Sequence, residues 1–274
     1  MPFFYLKSEQ PQHRREDWRR EAGFRPLQED QVLDLVMENL RTFRSTLRVQ
    51  RPIVIFDLDS TLYEVSPRTF SIYRAWHEAH GKEMPSLVAQ KFAGLTQNQV
   101  GYSVRDTFRN LGIDSKEHES SVDHLHDFWF ERFFGDSFLA HDNAYPGAAE
   151  FVRSVRREGA RIIYLTGRER SKMQAGTIEN LKRDGFPMDE ETFLLMRENP
   201  FFDDVEHKRQ AVQKWIGKGT IVATFENEPR NLVELKKLLP DTIHVFVDTI
   251  CSDYPAEVTH GLYRITRFSP LSNT

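Results

Sequence analysis

The stretch that decides the fold is residues 53–62, which read IVIFDLDSTL. Its first four residues are apolar and mostly β-branched, which is typical of a parallel strand buried on both faces. The strand ends in two carboxylates, Asp57 and Asp59. On an extended backbone, residues two apart point the same way, so both side chains can face one spot beyond the strand. Ligands bind at this edge of open α/β sheets, which predicts a functional site here.

Two carboxylates at such spacing repel each other unless a cation joins them. Mg2+ prefers oxygen ligands, so Asp57 and Asp59 predict a magnesium site. The alternative is structural, namely two acidic residues that end a strand and begin a turn. The apolar strand before the pair and the sequence Ser-Thr-Leu after it favour the functional interpretation.

The composition bounds the class of protein. The chain has 274 residues, of which 39% are hydrophobic and 28% charged, and its formal net charge is −4. This length suits one large domain or a domain with an insertion, and the charge argues against general nucleic-acid binding. No apolar run is long enough to span a membrane. The N-terminus lacks a signal-peptide pattern and the single Cys251 cannot form an intrachain disulfide, so we expect a cytoplasmic protein.

After residue 145 the apolar pattern alternates between strands and helices. We predict strands at 161–165, 192–196, 220–225 and 242–247, a further edge strand at 263–266, and helices at 147–158, 170–184, 205–216 and 229–238. Strands that alternate with helices indicate βαβ units and a parallel sheet. The predicted fold class is α/β, a Rossmann-like parallel sheet with helices on both faces, plus an inserted all-helical cap subdomain.

The insertion is predicted at residues 65–144, because so long a stretch is not a simple loop. Helical patterns occur in it near 67–80, 85–93, 97–112 and 117–134. Residues 51–64 and 145–274 are then predicted to form the α/β core.

Residues 1–50 are predicted to be an N-terminal helical extension. Residues 1–27 are charge-rich and indicate a helical arm or a flexible lead. Residues 28–48 form an amphipathic helical pattern, predicted to pack on the core. The alternative for this helix is a contact in a homo-oligomer.

The sequence Asp57-x-Asp59-Ser-Thr61 resembles the first motif of the haloacid dehalogenase (HAD) superfamily of phosphohydrolases. The resemblance implies that Asp57 is the nucleophile, which forms an aspartyl-phosphate, and that Asp59 is the general acid/base. A carboxylate can attack phosphorus, and a second carboxyl can protonate the leaving alkoxide and then deprotonate water. Asp57 and Asp59, the latter through its backbone carbonyl, are implied metal ligands, and Thr61 is an implied substrate contact. Residues 65–144 lie where the family carries its helical C1-type cap, which closes over the site.

The second motif of the family is a Ser or Thr at the end of the second strand, here Thr166. Its hydroxyl and nearby backbone N–H groups are implied to hold a phosphoryl oxygen. The alternative is a threonine that caps the following helix. Gly167 and Arg168 are implied substrate contacts, since the planar guanidinium of Arg168 suits phosphate. A surface salt bridge is the alternative for Arg168.

The third motif is a Lys at the start of the helix before the fourth strand. Lys208 is the match, and its catalytic role would be to offset the negative charge of the nucleophile and the phosphoryl group. Arg209 and Lys214 are neighbours that could be mistaken for it. Asp203 and Asp204 are interpreted as helix-start residues, favoured by the helix dipole.

The fourth motif departs from the family pattern. The family places Asp at the end of the fourth strand to bind Mg2+, whereas this chain has Glu226, Asn227 and Glu228. Glu226 and Asn227 are the predicted metal ligands here, with Glu228 as the alternative to Glu226. A longer carboxylate arm can be accommodated when Mg2+ loses or shifts a water. The departure also leaves weak or absent activity open.

The predicted function is hydrolysis of phosphoric monoesters of a small phosphorylated metabolite, with Mg2+ as cofactor. One alternative is a phosphotransferase that passes the phosphoryl group to another alcohol. Another is a HAD-fold protein that only binds a phosphorylated ligand or a partner. Dehalogenase chemistry also uses an Asp nucleophile but no metal, so the retained Glu226 and Glu228 count against it. Neither nucleic acid nor a membrane is expected as a partner.

Overall fold

The structure, a computed structural model, describes residues 12–46, 51–198 and 201–268. The N-terminal residues up to 11 and the end of the predicted helix 28–48 lie outside these ranges. The strands are β1 Gln12–His13, β2 Gly23–Phe24, β3 Pro52–Phe56, β4 Tyr63–Glu64, β5 Asn143–Ala144, β6 Arg161–Glu169, β7 Thr192–Arg197, β8 Thr220–Glu226, β9 Ile243–Val247, β10 Ala256–Glu257 and β11 His260–Ile265. The helices are α1 Arg15–Glu21, α2 Glu29–Thr46, α3 Ser66–His80, α4 Ser86–Ala93, α5 Val104–Asn110, α6 Glu119–Phe133, α7 Ala148–Arg157, α8 Arg170–Arg183, α9 Asp204–Gln213 and α10 Pro229–Leu238.

Seven strands form one parallel sheet in the order β2-β11-β9-β8-β3-β6-β7. The first core strand of the sequence, β3, is therefore central, with β8 on one side and β6 on the other. The carboxyl ends of these three strands meet at the middle of one sheet edge. The predicted Rossmann-like α/β fold is confirmed.

Helices cover both faces of this sheet. Successive side chains of a buried strand point to opposite faces, so each face has apolar side chains that helices bury. Val54 and Phe56 of β3 pack with residues of α2 and α7 on one face. Ile53 and Ile55 pack with Val212 of α9 on the other. All of these side chains are buried, as expected for a central parallel strand.

A helical insertion, residues 66–141, lies between β4 and β5. Its helices α3 to α6 have a core of their own, formed by Tyr73, Trp76, Val88, Phe92, Val104, Phe108 and Leu125 with their neighbours. The two chain connections to the sheet run side by side, since β4 and β5 pair antiparallel. This pair was not predicted, because two-residue strands carry no periodicity.

One predicted helix is wrong, and one predicted strand has a different place in the sheet. Residues 97–112 are not one helix but a 3-10 turn, Gln97–Gln99, followed by α5. Ser103 is the N-cap of α5, since its hydroxyl accepts a hydrogen bond from the backbone N–H of Asp106. A new helix therefore begins at Val104. The strand predicted at 263–266 is not at the edge, because β2 pairs with β11 on its outer side.

The N-terminal region is part of the same body. Helix α2 buries Val32, Val36 and Leu40 against the sheet, so its apolar face packs on the core as predicted. Residues 12–27 are neither a single helical arm nor a flexible lead. They contain helix α1 between the short strands β1 and β2. Association of two copies through this region stays a prediction. Within the described ranges, no helix has the length and apolar character needed to cross a membrane.

Candidate active site

The centre of the candidate site is Asp57, the first residue after β3. Its side chain is 6% exposed, and its Oδ1 accepts a hydrogen bond from Lys208 Nζ at 2.7 Å. Lys208 lies on α9, and its side chain is only 3% exposed. The third-motif lysine predicted from the sequence therefore reaches the predicted nucleophile, whereas Lys214 is exposed near the end of the helix.

The same ammonium group binds further carboxylates. Lys208 Nζ donates to Glu226 Oε2 at 2.8 Å and lies 3.3 Å from Asp204 Oδ2. Glu226 ends β8, next to β3, and is 1% exposed. Carboxylates from the ends of neighbouring strands and from α9 thus surround one lysine.

Burial dominates the electrostatics of this group. It raises the pKa of Asp57 well above its ordinary value, against the opposing charge of Lys208. It also raises the pKa of Glu226. Burial alone would lower the pKa of Lys208, but Asp204, Asp57 and Glu226 outweigh it and hold that pKa well above its ordinary value. The site therefore holds more buried negative charge than Lys208 alone offsets.

The rest of the fourth motif holds the neighbouring loop, residues 249–252. Asn227 Oδ1 accepts from the hydroxyl of Thr61 at 3.1 Å, and its amide donates to the carbonyl of Ile250 at 2.8 Å. Glu228 Oε2 accepts from the Ser252 hydroxyl at 2.7 Å, and its Oε1 accepts from the Ser252 backbone N–H at 2.8 Å. Between the two glutamates, Glu226 is thus the one whose carboxylate lies beside Asp57. Asn227 remains a predicted ligand, but its side chain already has partners.

Asp59 lies beside two arginines. Its carboxylate accepts hydrogen bonds from Arg168 Nη2 at 2.6 Å and from Arg68 Nη2 at 2.7 Å. Burial alone would raise the pKa of Asp59, but the charges of Arg168 and Arg68 outweigh it, and the pKa lies well below its ordinary value. Asp59 does not contact Lys208, so the two predicted catalytic aspartates have different cationic partners.

The second motif lies at the end of β6, next to β3. Thr166 is fully buried, and its hydroxyl accepts from the backbone N–H of Arg168 at 3.2 Å. Arg168 forms ion pairs, but they are not at the surface, because its side chain is 1% exposed. Gly167 lies against α9, where an added Cβ would come within 2.2 Å of Asp204 Oδ1. Any larger residue at this position would displace the Asp204 carboxylate, because the backbone approaches it so closely.

The sequence indicates no site role for Asp204 or Asp142, and it makes Arg68 a candidate cleft residue without fixing its direction. Asp204 was interpreted as a helix-start residue, but Asp203 is the N-cap and Asp204 reaches Lys208. The spacing of four residues between Asp204 and Lys208 is the signal that could have found it. Arg68 and Asp142 come from the ends of the helical insertion, and nothing in their local sequence indicates their direction.

A family model for haloacid dehalogenase-like hydrolases matches residues 52–214. This range includes Asp57, Asp59, Thr166 and Lys208, and it covers more than half of the chain. The chain belongs to the haloacid dehalogenase-like hydrolase family. No sequence among curated proteins matches this chain.

Solved structures with a related fold include other members of this family. A candidate phosphatase from Clostridium difficile has 16% identity and a TM-score of 0.49 over 73% of this chain and 86% of its own. A haloacid dehalogenase-like family protein from Streptococcus pneumoniae has 13% identity and a TM-score of 0.44 over 72% and 84%. The class C acid phosphatase from Bacillus anthracis has 18% identity and a TM-score of 0.39 over 73% and 63%. Similarities of this size identify no substrate.

HAD proteins use Mg2+ in general, so the donor set can be tested against that ion. Among the described residues, no three His, Cys, Asp or Glu side chains form a ready metal cage. However, Asp57 and Glu226 lie close enough to share the ammonium of Lys208, and their pKa values are raised by burial. A divalent cation would offset this excess negative charge, and Mg2+ completes its shell with waters. The carboxylates of Asp57 and Glu226 therefore fit a magnesium site that waters would complete.

Proposed function

We propose that this HAD-family chain is a Mg2+-dependent phosphatase that hydrolyses the phosphoric monoester of a small metabolite through an aspartyl-phosphate on Asp57. The observation that carries the proposal is the ion-paired group at the sheet edge. Asp57 lies at the end of the central strand, and Lys208 Nζ bonds both Asp57 Oδ1 at 2.7 Å and Glu226 Oε2 at 2.8 Å. Such positioned charges are what phosphoryl transfer requires of a protein.

In the first step, an oxygen of Asp57 attacks phosphorus and the bond from phosphorus to the ester oxygen breaks. Asp59 enters this step in its protonated form and gives its proton to the leaving alkoxide. In the second step, a water gives its proton to Asp59 and attacks phosphorus. The bond to Asp57 breaks and inorganic phosphate leaves, so that Asp57 is again a carboxylate and Asp59 is again protonated.

The other residues bind the phosphoryl group and balance charge. Lys208 offsets the charge of Asp57 and of the phosphoryl oxygens, and Thr166 with the backbone at Gly167 receives one of those oxygens. Asp57, Glu226 and the backbone carbonyl of Asp59 are the proposed Mg2+ ligands. When bound, Mg2+ supplies further charge neutralisation at the phosphoryl group.

The two arginines at Asp59 favour its ionised form, which is the form that takes a proton from water in the second step. An aryl phosphate is therefore a suitable first substrate, because its leaving group departs without a proton. The proposed test is hydrolysis of p-nitrophenyl phosphate with Mg2+ or with EDTA, by the wild type and by Asp57→Asn.

We expect hydrolysis by the wild type with Mg2+ only, and loss of activity in Asp57→Asn by at least about a hundredfold. Circular dichroism of both proteins controls for folding. Equal rates in the two folded proteins would contradict the proposal and favour a protein that only binds phosphorylated ligands. Product analysis with an added alcohol separates a hydrolase, which releases inorganic phosphate, from a phosphotransferase, which forms a new ester.

A further inference from the structure

Four charged side chains form a cluster where the helical insertion meets the sheet. We call Asp59, Arg68, Asp142 and Arg168 the Arg–Asp cluster. Asp59 follows β3 and Arg168 lies on β6, so both belong to the sheet edge. Arg68 lies in the first turn of α3, and Asp142 immediately precedes β5. The two ends of the insertion therefore each contribute one charge.

Each arginine of the Arg–Asp cluster contacts both of its aspartates. Arg68 Nη2 donates to Asp59 Oδ1 at 2.7 Å, and Arg68 Nε lies 2.9 Å from Asp142 Oδ1 as an ion pair that is not aligned as a hydrogen bond. Arg168 Nη2 donates to Asp59 Oδ1 at 2.6 Å and to Asp142 Oδ2 at 2.8 Å. Each guanidinium thus joins the same two carboxylates, and the charges balance.

Burial differs sharply within the Arg–Asp cluster. The side chains of Arg68 and Asp142 are 0% exposed and that of Arg168 is 1% exposed, whereas that of Asp59 is 30% exposed. Asp59 is therefore the member that faces solvent, and the other three form a rigid support behind it. Buried ion pairs hold their geometry strictly, because a charge left without its partner is costly in a protein interior.

Arg68 is itself held by the insertion. Its Nη1 donates to the carbonyl of Phe133 at 3.0 Å, and its guanidinium carbon lies 4.0 Å from the centroid of the Phe133 ring. Phe133 ends α6, so Arg68 connects the last long helix of the insertion to Asp59. The proposed acid/base, Asp59, thus contacts one guanidinium from the sheet, that of Arg168, and one from the insertion, that of Arg68.

We propose that Arg68 is a positioning residue for Asp59, and that Asp142 positions the guanidinium of Arg68. The helical insertion then completes the reaction centre instead of only covering it. This inference rests on the proposed function, because it concerns the acid/base of that reaction. Arg68 acts through Asp59, so its loss should lower kcat and leave substrate affinity nearly unchanged.

The test is a double-mutant cycle with p-nitrophenyl phosphate. Arg68→Lys keeps the charge but loses the planar fork that contacts Asp59, Asp142 and Phe133. In the wild type we expect kcat to fall by about 10- to 100-fold, as for a misplaced catalytic group, with KM changed by less than about threefold. In an Asp59→Asn background, the same substitution should have no further effect on kcat.

The matched control is Arg105→Lys, because Arg105 is also an insertion arginine with carboxylate partners, Glu119 and Asp123, but is 45% exposed and far in sequence from the cluster. It should leave kcat unchanged. An equal fall of kcat in both backgrounds would show that Arg68 only stabilises the fold, and no fall in the wild type would also overturn the inference. If Arg68→Lys fails to fold, Asp142→Asn takes its place under the same criteria.

The two proposals fail in different ways. Absence of Mg2+-dependent hydrolysis in the folded wild type, or full activity in Asp57→Asn, would contradict the proposed function. An active wild type that depends on Asp57 but is indifferent to Arg68 and Asp142 would contradict only the positioning role.

Discussion

Among the single residues of the site, Lys208 has the largest effect on the charge balance. One buried ammonium contacts Asp57, Glu226 and Asp204, so each carboxylate is only partly neutralised. A buried carboxylate that loses its cation is costly. The position of Lys208 between two strand ends and one helix therefore matters for both activity and stability.

Replacing Lys208 with Met should lower kcat by at least about a hundredfold, because the phosphoryl oxygens lose a positioned cation. It should also lower the free energy of unfolding by about 3–5 kcal/mol, since the carboxylates lose their partner. Steady-state kinetics and urea unfolding measure the two effects. Lys214→Met, on the exposed end of the same helical segment, is the control and should change neither quantity.

Gly167→Ala tests the close approach between β6 and α9. The added Cβ would lie 2.2 Å from Asp204 Oδ1, so the Asp204 carboxylate, whose Oδ2 lies 3.3 Å from Lys208 Nζ, must shift. We expect kcat to fall by about tenfold or more, as for a displaced positioning group. Gly94→Ala is the control, because the nearest atom to its Cβ would be 3.8 Å away. Equal activity of both variants would contradict the packing described here.

The sequence predicts those site residues that follow a strand or begin a helix, because local patterns determine where strands end. Asp57, Thr166, Lys208 and Glu226 are of this kind, and the structure brings them together on the ends of β3, β6 and β8 and on α9. The contacts of Arg68 with Asp59 and with Asp142 could not be predicted. These residues lie in separate parts of the chain, and only the folded insertion brings them together.

At the scale of elements, β8 and β9 are joined by a buried polar contact besides their backbone ladder. His244 Nδ1 lies 2.7 Å from the Thr224 hydroxyl, and its Nε2 lies 2.8 Å from the carbonyl of Leu239. Nε2 therefore carries the proton and Nδ1 accepts. Burial lowers the pKa of His244 to about 4, so the folded protein keeps this imidazole neutral.

This histidine predicts a pH dependence of stability. The pKa of His244 is lower in the folded state than the ordinary 6.5, so the unfolded chain binds the proton first. The contribution of His244 to the free energy of unfolding is complete above about pH 6.5 and is lost as the pH falls toward 4. At about pH 5 it has fallen by about 2 kcal/mol. Urea unfolding at about pH 7 and pH 5 measures it. His244→Gln should reduce this dependence, whereas His260→Gln, at an exposed position on β11, should not.

Element boundaries were predictable where apolar periodicity was long, as for α8 and β8. Local patterns do not predict the boundary where a capping side chain begins a new helix, as Ser103 does for α5, or the strands that have only two residues, such as β4 and β5. The position of β11 inside the sheet depended on β2, whose pairing partner is far away in sequence. Local pattern does not determine such pairings.

At the scale of the whole molecule, the N-terminal region supports the loop beside the fourth motif. Arg15 Nη1 donates to the carbonyl of Cys251 at 3.0 Å, and Arg19 Nη2 donates to that of Thr249 at 2.7 Å. Ser252 in this loop holds the carboxylate of Glu228. The charge-rich start of the sequence gave no indication of this contact, because its partners lie more than 200 residues later.

Trp18→Ala tests this support. Trp18 is fully buried, its ring centroid lies 5.1 Å from that of Phe246, and its Nε1 donates to the carbonyl of Glu257 at 2.8 Å. Loss of a buried tryptophan costs about 3–5 kcal/mol, so the free energy of unfolding should fall by this amount. Arg20→Ala, at an exposed position on the same helix, should have little effect. Unchanged stability of Trp18→Ala would show that α1 does not belong to the folded core.

The proposed aspartyl-phosphate on Asp57 can be detected by locating the phosphoryl group during turnover. The wild type is mixed with Mg2+ and p-nitrophenyl phosphate, quenched in acid within one turnover, digested, and analysed by mass spectrometry. We expect one phosphoryl group on the peptide that contains Asp57, and none in Asp57→Asn. A phosphoryl group on another residue, or rapid hydrolysis with no phosphorylated peptide at any time, would contradict this proposal.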